Sequence, residues 1–477
     1  MNKLRYLANN IALFSISNFV SKILVFLLVP LYTNVLTTKE YGVADIFQVT
    51  LLLLVPALTV NAGEAALRFG IEKSDKRDDI FRIGMKYSLR AALIVSAVAI
   101  ALSFFVSDNV RIYLFIFIPL FLFNAVYEFL ILYFQGCEQV PVLVTGSVFS
   151  TLMMIICNIV FLLYLKAGLY GYLFSQIIAY LTASLVMLAL GKRFSYIFTK
   201  REDRELEAEM LSYSRPMIAY STASWVNNAS DRYLVAGMLG AAVNGIYGVA
   251  YKIPAILMVF QRIFAQAWQM SATKAYMDDD SGRFFSLMYR VYNGFMVMGC
   301  SVLILLVKPL AFFLFRKDFY TAWHFVPPLL ISVIFGALTG FLGSICLAHK
   351  DSVSMGKATG AGAVINIILN IAFIPRFGAM GAAAATGISY FSMCLLAFIF
   401  VRKHVELKTG IIRDTTAYIL LIAESVIMIN EMPFHYALSA AIVITVLLMY
   451  IKEALQIIRV IADRSKRKAG SDEQQAN

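Results

Sequence analysis

The sequence predicts an all-α polytopic membrane protein of about fourteen transmembrane helices, arranged as two parallel sets of six plus a final pair. Three observations predict this. The 477 residues are 60% hydrophobic and only 15% charged, whereas a soluble chain carries about 25% charged residues. Apolar stretches of the length a bilayer requires, about 20 residues, recur from Leu4 to Ile461 with short polar gaps. The basic residues between those stretches fall mainly on alternate loops, as the positive-inside rule demands.

The candidate spans cover 8–36, 43–67, 83–106, 112–134, 141–165, 170–191, 211–239, 245–270, 287–314, 322–348, 354–375, 380–401, 414–430 and 434–452. The first follows Met1-Asn2-Lys3-Leu4-Arg5, which resembles the basic start of a signal peptide. The apolar run continues to Leu36 without a small-residue cleavage site, so it reads as a retained span. Pro30, Pro56, Pro119, Pro254 and Pro327-Pro328 fall inside the spans. Membrane helices tolerate such interruptions and often bend there. The longest polar connection, Lys192 to Glu209, is charged and expected to be partly helical, and Ala469–Asn477 is polar.

With the N-terminus in the cytoplasm, the inner loops hold Lys73, Lys76, Arg77, Arg82, Lys192, Arg193, Arg204, Arg283, Arg402, Lys403, Lys408 and others. The outer loops hold only Lys39, Arg111, Lys166, Arg316, Lys317 and Arg376, with Lys308 near a helix end. Both termini are therefore expected in the cytoplasm of a bacterial inner membrane. The net charge of +12 is a topology signal, and because it is not gathered on a soluble domain no nucleic-acid partner is expected. Cys137, Cys157, Cys300, Cys346 and Cys394 form no CxxC or Cys/His cluster, so neither a disulfide framework nor a metal or other cofactor is expected.

An internal repeat refines the count. Glu40-Tyr41-Gly42-Val43 matches Ile246-Tyr247-Gly248-Val249 at an offset of 206 residues. Gly168-Leu169-Tyr170-Gly171 matches Gly378-Ala379-Met380-Gly381 at 210. Six spans per copy leave the two copies in the same orientation. The expected division is an N-lobe over 1–200, a C-lobe over 201–402, two helices over 403–460 and a cytoplasmic tail over 461–477. Transporters with parallel repeats place substrate between the halves.

Trp225-Val226-Asn227-Asn228-Ala229-Ser230-Asp231-Arg232-Tyr233, followed by Gly245-Ile246-Tyr247-Gly248-Val249, resembles the oligosaccharide-lipid flippases of the multidrug/oligosaccharidyl-lipid/polysaccharide exporter superfamily. Asn18 to Lys22 with Glu40-Tyr41-Gly42 is similar, and so is Asn366 through Asn370 with Ile374-Pro375 and Gly381-Ala382-Ala383. The likeness extends over residues 5–402. It implies two six-helix lobes around a central cavity and export of undecaprenyl-pyrophosphate-linked oligosaccharide for cell-surface polysaccharide. Fourteen spans depart from the twelve of many O-antigen-type members and leave the subfamily open.

Charge at membrane depth is costly and usually faces a cavity or a partner. Lys22 shares a stripe with Asn18. Ser214, Ser221, Asn228, Asp231 and Arg232 share another, and Lys252, Arg262, Gln266 and Gln269 a third. The expected substrate-binding set is Lys22, Arg68, Arg215, Asn228, Arg232, Lys252 and Arg262, since a pyrophosphate needs cationic donors once it leaves the headgroup layer. Trp225 and Trp268 are candidate sugar platforms. Asp45, Glu64 and Asp231 are possible coupling carboxylates, and Asp231-Arg232 can instead be a structural ion pair. Arg90, Glu128 and Glu424 lie on no comparable stripe and are read as packing, gating or groove features.

Two other functions stay open: a cation-coupled multidrug exporter of the same superfamily, and a non-transporting scaffold for cell-wall assembly. An enzyme is not expected, because His324, His349, His404 and His435 are scattered and no catalytic set converges. Expected partners are the lipid-linked oligosaccharide, membrane lipids, and a polysaccharide polymerase or glycosyltransferases.

Overall fold

The computed structural model describes residues 26–196, 203–275, 281–349 and 351–452. They form helices α1 Val29–Val35, α2 Thr38–Leu58, α3 Ala62–Glu72, α4 Arg77–Ser103, α5 Asp108–Gly136, α6 Val140–Asn158, α7 Gly168–Leu190, α8 Arg204–Leu239, α9 Ala241–Ala250, α10 Pro254–Ala275, α11 Ser281–Leu305, α12 Val307–Leu314, α13 Val326–Ala348, α14 Ser352–Val401, α15 Ile411–Ile429 and α16 His435–Lys452. Among the described residues, nine helical segments are long and apolar enough to cross a bilayer. The 50 residues of α14 extend to about 75 Å, far beyond a hydrocarbon core of about 30 Å. Gly378, with φ of 61°, breaks that helix, and Ser389 Oγ reaches back to the Gly362 carbonyl at 2.8 Å. The two arms thus form a hairpin of two spans, as expected over 354–375 and 380–401.

The chain divides into two compact units. One comprises the residues up to Gly248 with Leu314–Phe319; the other comprises Val249–Phe313 and Tyr320 onward.

In the first unit, Thr37 and Glu40 start α2 with a reciprocal capping box. The Thr37 hydroxyl accepts from the Glu40 N–H at 3.2 Å, and the Glu40 carboxylate accepts from the Thr37 N–H at 2.8 Å. Two residues on, Gly42 meets α9 without any side chain between the backbones. A Cβ at Gly42 would lie 1.8 Å from the Ala241 carbonyl oxygen, and one at Gly245 would lie 1.9 Å from that of Thr38. The Gly248 of the second Tyr-Gly copy packs on Asp45, its Cβ position 2.8 Å from Cγ. The two helices that carry the repeated motif therefore pack against each other beside its two copies.

The expected single span over 43–67 is corrected: it breaks after α2. Val60 N–H donates to the Ala57 carbonyl at 3.3 Å and Asn61 N–H to that of Pro56 at 2.8 Å, the paired bonds of a Schellman stop. Val60 and Asn61 have φ of 56° and 51°. Asn tolerates that region, whereas a β-branched Val does so at a cost of about 1–2 kcal/mol. The bend turns α3 onto α5 and aims Glu64 inward. The span over 245–270 is likewise two helices, broken ahead of Pro254. Pro327 and Pro328 open α13 rather than interrupt a span, at positions where a missing N–H is harmless.

In the second unit, α15 and α16 are held to α11 by buried polar groups. Glu424 accepts from the Ser301 and Ser439 hydroxyls, each at 2.6 Å. Tyr450 donates to Asp414 at 2.8 Å, Asn293 to Tyr450 at 3.2 Å, and Tyr418 to Asn293 at 2.8 Å. Such groups have no water to turn to in lipid, so satisfied pairs fix register.

Gly42→Ala or Gly245→Ala forces α2 and α9 apart. Each is expected to cost about 3 kcal/mol or more and to lower the unfolding temperature in detergent, whereas Gly360→Ala, with open space around it, leaves it unchanged.

Candidate functional site

The α2–α9 contact brings the first unit's charged groups together. Asp45 lies one turn beyond Gly42 on α2, on the side facing α8. Arg232 Nη1 donates to Asp45 Oδ1 at 2.9 Å, with the side chains 16% and 9% exposed. Asn244 donates to the Gly42 carbonyl at 3.1 Å and approaches Asp45 Oδ2 at 3.5 Å. Asp231 accepts from the Tyr247 hydroxyl at 2.6 Å and from the Arg232 N–H at 2.9 Å. The Arg232 guanidinium thus bonds Asp45 of another helix, while its neighbour Asp231 ties α8 to α9. Further along the same face, Trp225 Nε1 donates to the Val49 carbonyl at 2.7 Å, Tyr233 bonds Thr50, and Asn61 meets Ser221. An ion pair held this deep contributes only with good geometry and added hydrogen bonds, and both are present.

At the other end of α8, the end rich in Lys and Arg, the partners change to residues preceding and within α4. Lys76 bonds Asp203 at 2.8 Å, Lys86 bonds both Glu207 oxygens at 2.9 and 3.1 Å, and Tyr87 donates to Glu207 at 2.9 Å. Lys73 pairs with Glu209. Arg68 pairs with Glu72 at 2.9 Å and covers the Tyr213 ring at 4.4 Å; with Phe69, Ala208, Glu209 and Ser212 they line an open groove of about 550 Å³.

The first turns of the 36-residue α8 precede the span expected over 211–239. There the hydrogen bond from Lys76, then the Leu206 N–H, holds the Asp203 carboxyl below its ordinary range. Burial pushes the Glu207 carboxyl up, but the bonds from Lys86 and Tyr87 outweigh it and hold it low.

Elsewhere in the first unit, Gln48, Asn61, Glu64, Asn124, Glu128 and Tyr180, among others, line a half-open cavity of about 320 Å³. Glu64 comes from α3, Glu128 and Asn124 from α5. Neither carboxylate has an ion-pair partner among the described residues. Two carboxyls amid amides and hydroxyls can hold a proton or a small cation. Sequence reasoning read Glu64 as a possible coupling carboxylate and Glu128 as a packing, gating or groove feature, without bringing the two together. The signal it lacked was spatial: Glu128 and Asn124 stand four apart on one helix, but only the bend at Val60 brings Glu64 to them.

The other expected site residues scatter more widely. Lys22 and Asn18 lie outside the described residues. Arg215 is exposed on α8 one turn above Leu211. Asn228 is exposed and donates to the Ser224 carbonyl of its own helix at 2.7 Å. Lys252 and Arg262 belong to the second unit, half-buried and exposed respectively. Of the sugar platforms, Trp268 is buried, stacked on Phe341 at 4.2 Å with Nε1 donating to its carbonyl at 3.1 Å. Its face is filled by packing. Trp225 is tied by its indole N–H to Val49, with Tyr233 against it at 5.6 Å.

Asp45→Asn or Arg232→Gln breaks the buried Asp45–Arg232 pair and is expected to cost about 3–5 kcal/mol. The double variant Asp45→Leu/Arg232→Met should recover most of that loss in detergent unfolding. A second outcome follows from the depressed carboxyls of Asp203 and Glu207. Their folded pKa lies below the unfolded value of about 4, so their stabilisation is complete above it and is lost as pH falls through the folded value. A spin label at Ala208 should stay immobile from pH 8 to about pH 5 and loosen below pH 4.

The polysaccharide biosynthesis protein family matches residues 7–269. A curated relative, the probable low-salt glycan biosynthesis flippase Agl15 of Haloferax volcanii, is 23% identical over 239 residues, covering 48% of this chain and 49% of that protein. The chain thus spans about half the length of the curated relative it matches. Among solved structures, the lipid II flippase MurJ in an inward closed conformation superposes with a TM-score of 0.68 at 17% identity, over 94% of this chain and all of that one. A multidrug resistance MATE family transporter of the MOP superfamily, inward-facing, gives 0.66 at 12% identity over 80% and 94%. At such identities these two share the fold. The match over more than half of the sequence places the chain in the polysaccharide biosynthesis protein family, as a multi-pass membrane protein with the fold of the MOP transporters.

Proposed function

We propose that the protein is a flippase that carries an undecaprenyl-pyrophosphate-linked oligosaccharide from the cytoplasmic to the outer leaflet by alternating access. The observation that carries this reading is that α8, one helix, is fastened at both ends by different charged contacts. The Asp45–Arg232 pair closes the outer end, and the Lys76, Lys86 and Lys73 contacts close the cytoplasmic end. We take residues 1–200 and 201–402 as the two lobes, with α8 as the arm of the second lobe that packs on the first. Releasing one fastening while the other holds is what alternating access requires. The exposed cations Arg68, Arg215 and Arg262, with Lys22 and Lys252, suit a diphosphate head. The inside-negative potential favours its exit by about 2.3 kcal/mol per charge per 100 mV. Glu64 and Glu128 are the proposed coupling carboxyls; Asp45 and Asp231 serve the outer closure. The substrate is moved unchanged, between glycosyltransferases that build it and a polymerase that consumes it.

The Glu64–Glu128 cavity also favours a second reading, a cation-coupled multidrug exporter. The deciding measurement uses full-length protein in vesicles loaded with a lipid-linked oligosaccharide or with a cationic dye. Flippase activity predicts faster appearance of sugar outside than in empty vesicles and no dye movement; the reverse pattern replaces the reading. In a background with the native cysteines changed to alanine, Asp45→Cys/Arg232→Cys joined by a thiol crosslinker should stop sugar transfer, and cleaving the linker should restore it.

A further inference from the structure

Glu207 sits in an arrangement that a lone carboxylate does not need. Lys86 Nζ contacts both of its oxygens, and Tyr87 donates to Oε1. The Arg90 guanidinium lies 5.5 Å over the Tyr87 ring and acts on Glu207. Arg215, one turn beyond Leu211 on the same helix as Glu207, acts on the Tyr87 hydroxyl. Arg90 and Arg215 are exposed and have no ion-pair partner among the described residues. Two cations and a phenol thus converge on one negative charge, with Arg215 acting on that phenol as a third cation, in a half-buried position where exposed-pair screening is reduced. The donor set fits a group with two charges and more oxygens than a carboxylate offers. The carboxylate itself is on the first turn of α8, whose helix start at Asp203 can fray or pivot without breaking the hydrogen bonds further along.

We infer that Lys86, Tyr87, Arg90 and Arg215 form a binding site for a diphosphate, and that Glu207 occupies it as a built-in stand-in until the ligand displaces it. This rests on the reading of an anionic, diphosphate-bearing substrate and adds the entry site and its regulation. Displacement frees the first turn of α8 from α4, so ligand binding and release of the cytoplasmic fastening become one event. The carboxylate keeps the site's charge satisfied when it is empty and raises the threshold for single-charged headgroups.

The test is calorimetric titration of inorganic pyrophosphate into purified full-length protein at low salt. Glu207→Gln removes the competitor and is expected to tighten binding about tenfold or more. Arg215→Gln and Arg90→Gln, at exposed positions whose loss leaves the fold intact, are expected to weaken it by a similar factor. Unchanged or weaker binding by Glu207→Gln overturns the inference, as does indifference of binding to both arginine variants. Nanodiscs separate the two sources of phosphate. Equal pyrophosphate affinity in phosphatidylcholine and phosphatidylglycerol discs supports a diphosphate site; an affinity that collapses in phosphatidylglycerol assigns the site to bulk lipid headgroups and overturns it. The transport reading fails separately, by absence of sugar transfer in vesicles, and that result leaves the calorimetric outcome standing.

Discussion

The close approach of α2 and α9 is the constraint on which the first unit depends. At Gly42 and Gly245 each backbone occupies the space a Cβ would need. In lipid the association of helices gains little from hydrophobic burial, and close backbone contact is what small residues supply. The consequence is electrostatic as much as steric. Asp45 is one turn from the contact, so it is carried within reach of Arg232 and Asn244. A bulkier crossing would leave a carboxylate and a guanidinium at membrane depth without each other, a situation costing several kcal/mol by most scales.

The same geometry explains why the repeated Tyr-Gly motif stands out in the sequence. Tyr41 and Tyr247 are both buried, their glycines sit at the crossing, and Glu40 closes the capping box that begins α2. The motif was legible as a repeat because its spacing is linear. Its meaning, that the helices carrying the two copies cross there, was not, because contact between residues so far apart in the chain leaves no trace in periodicity. The hairpin at Gly378 was more accessible: two apolar runs separated by a glycine can only fold back in a bilayer. The break at Val60 was hidden for the opposite reason. Val at positive φ is rare, and Asn61 and Gly63, the turn-forming residues beside it, stand within a stretch that is otherwise mainly apolar.

The polar stripes show a similar division. The stripe on α8 was visible from steps of three, four and seven, and its members do meet partners: Ser221 with Asn61, Arg232 with Asp45. Which charge each would meet was not visible. Asp231 and Arg232 are adjacent in sequence, yet their side chains diverge by the 100° turn per residue of a helix. The aspartate reaches Tyr247 and the arginine reaches α2. The tryptophans mislead in a related way, because indole is both a sugar platform and a good core residue. Trp268 lies under Phe341, where stacking with other rings leaves no open face.

Helix α8 then joins two electrostatic environments. Its contact toward the C-terminal end is a pair 16% and 9% exposed, where interactions are strong because few waters compete. Its other end is mostly a set of more exposed pairs, such as Lys73 with Glu209 at 32% and 43%, weak singly and screened by salt, with the half-buried Lys86–Glu207 pair among them. The two ends belong to one continuous helix of 36 residues, with Pro216 between them. The weaker, wetter end is the one a charged ligand can exchange with, because its pairs are replaced by equivalent pairs at little net cost. The drier end resists such exchange, since any intermediate would leave charge unpaired in a low dielectric. On the transport reading proposed above, ligand control of the helix would therefore enter at the basic end, with the Asp45–Arg232 pair as the barrier that the ligand's binding energy has to overcome.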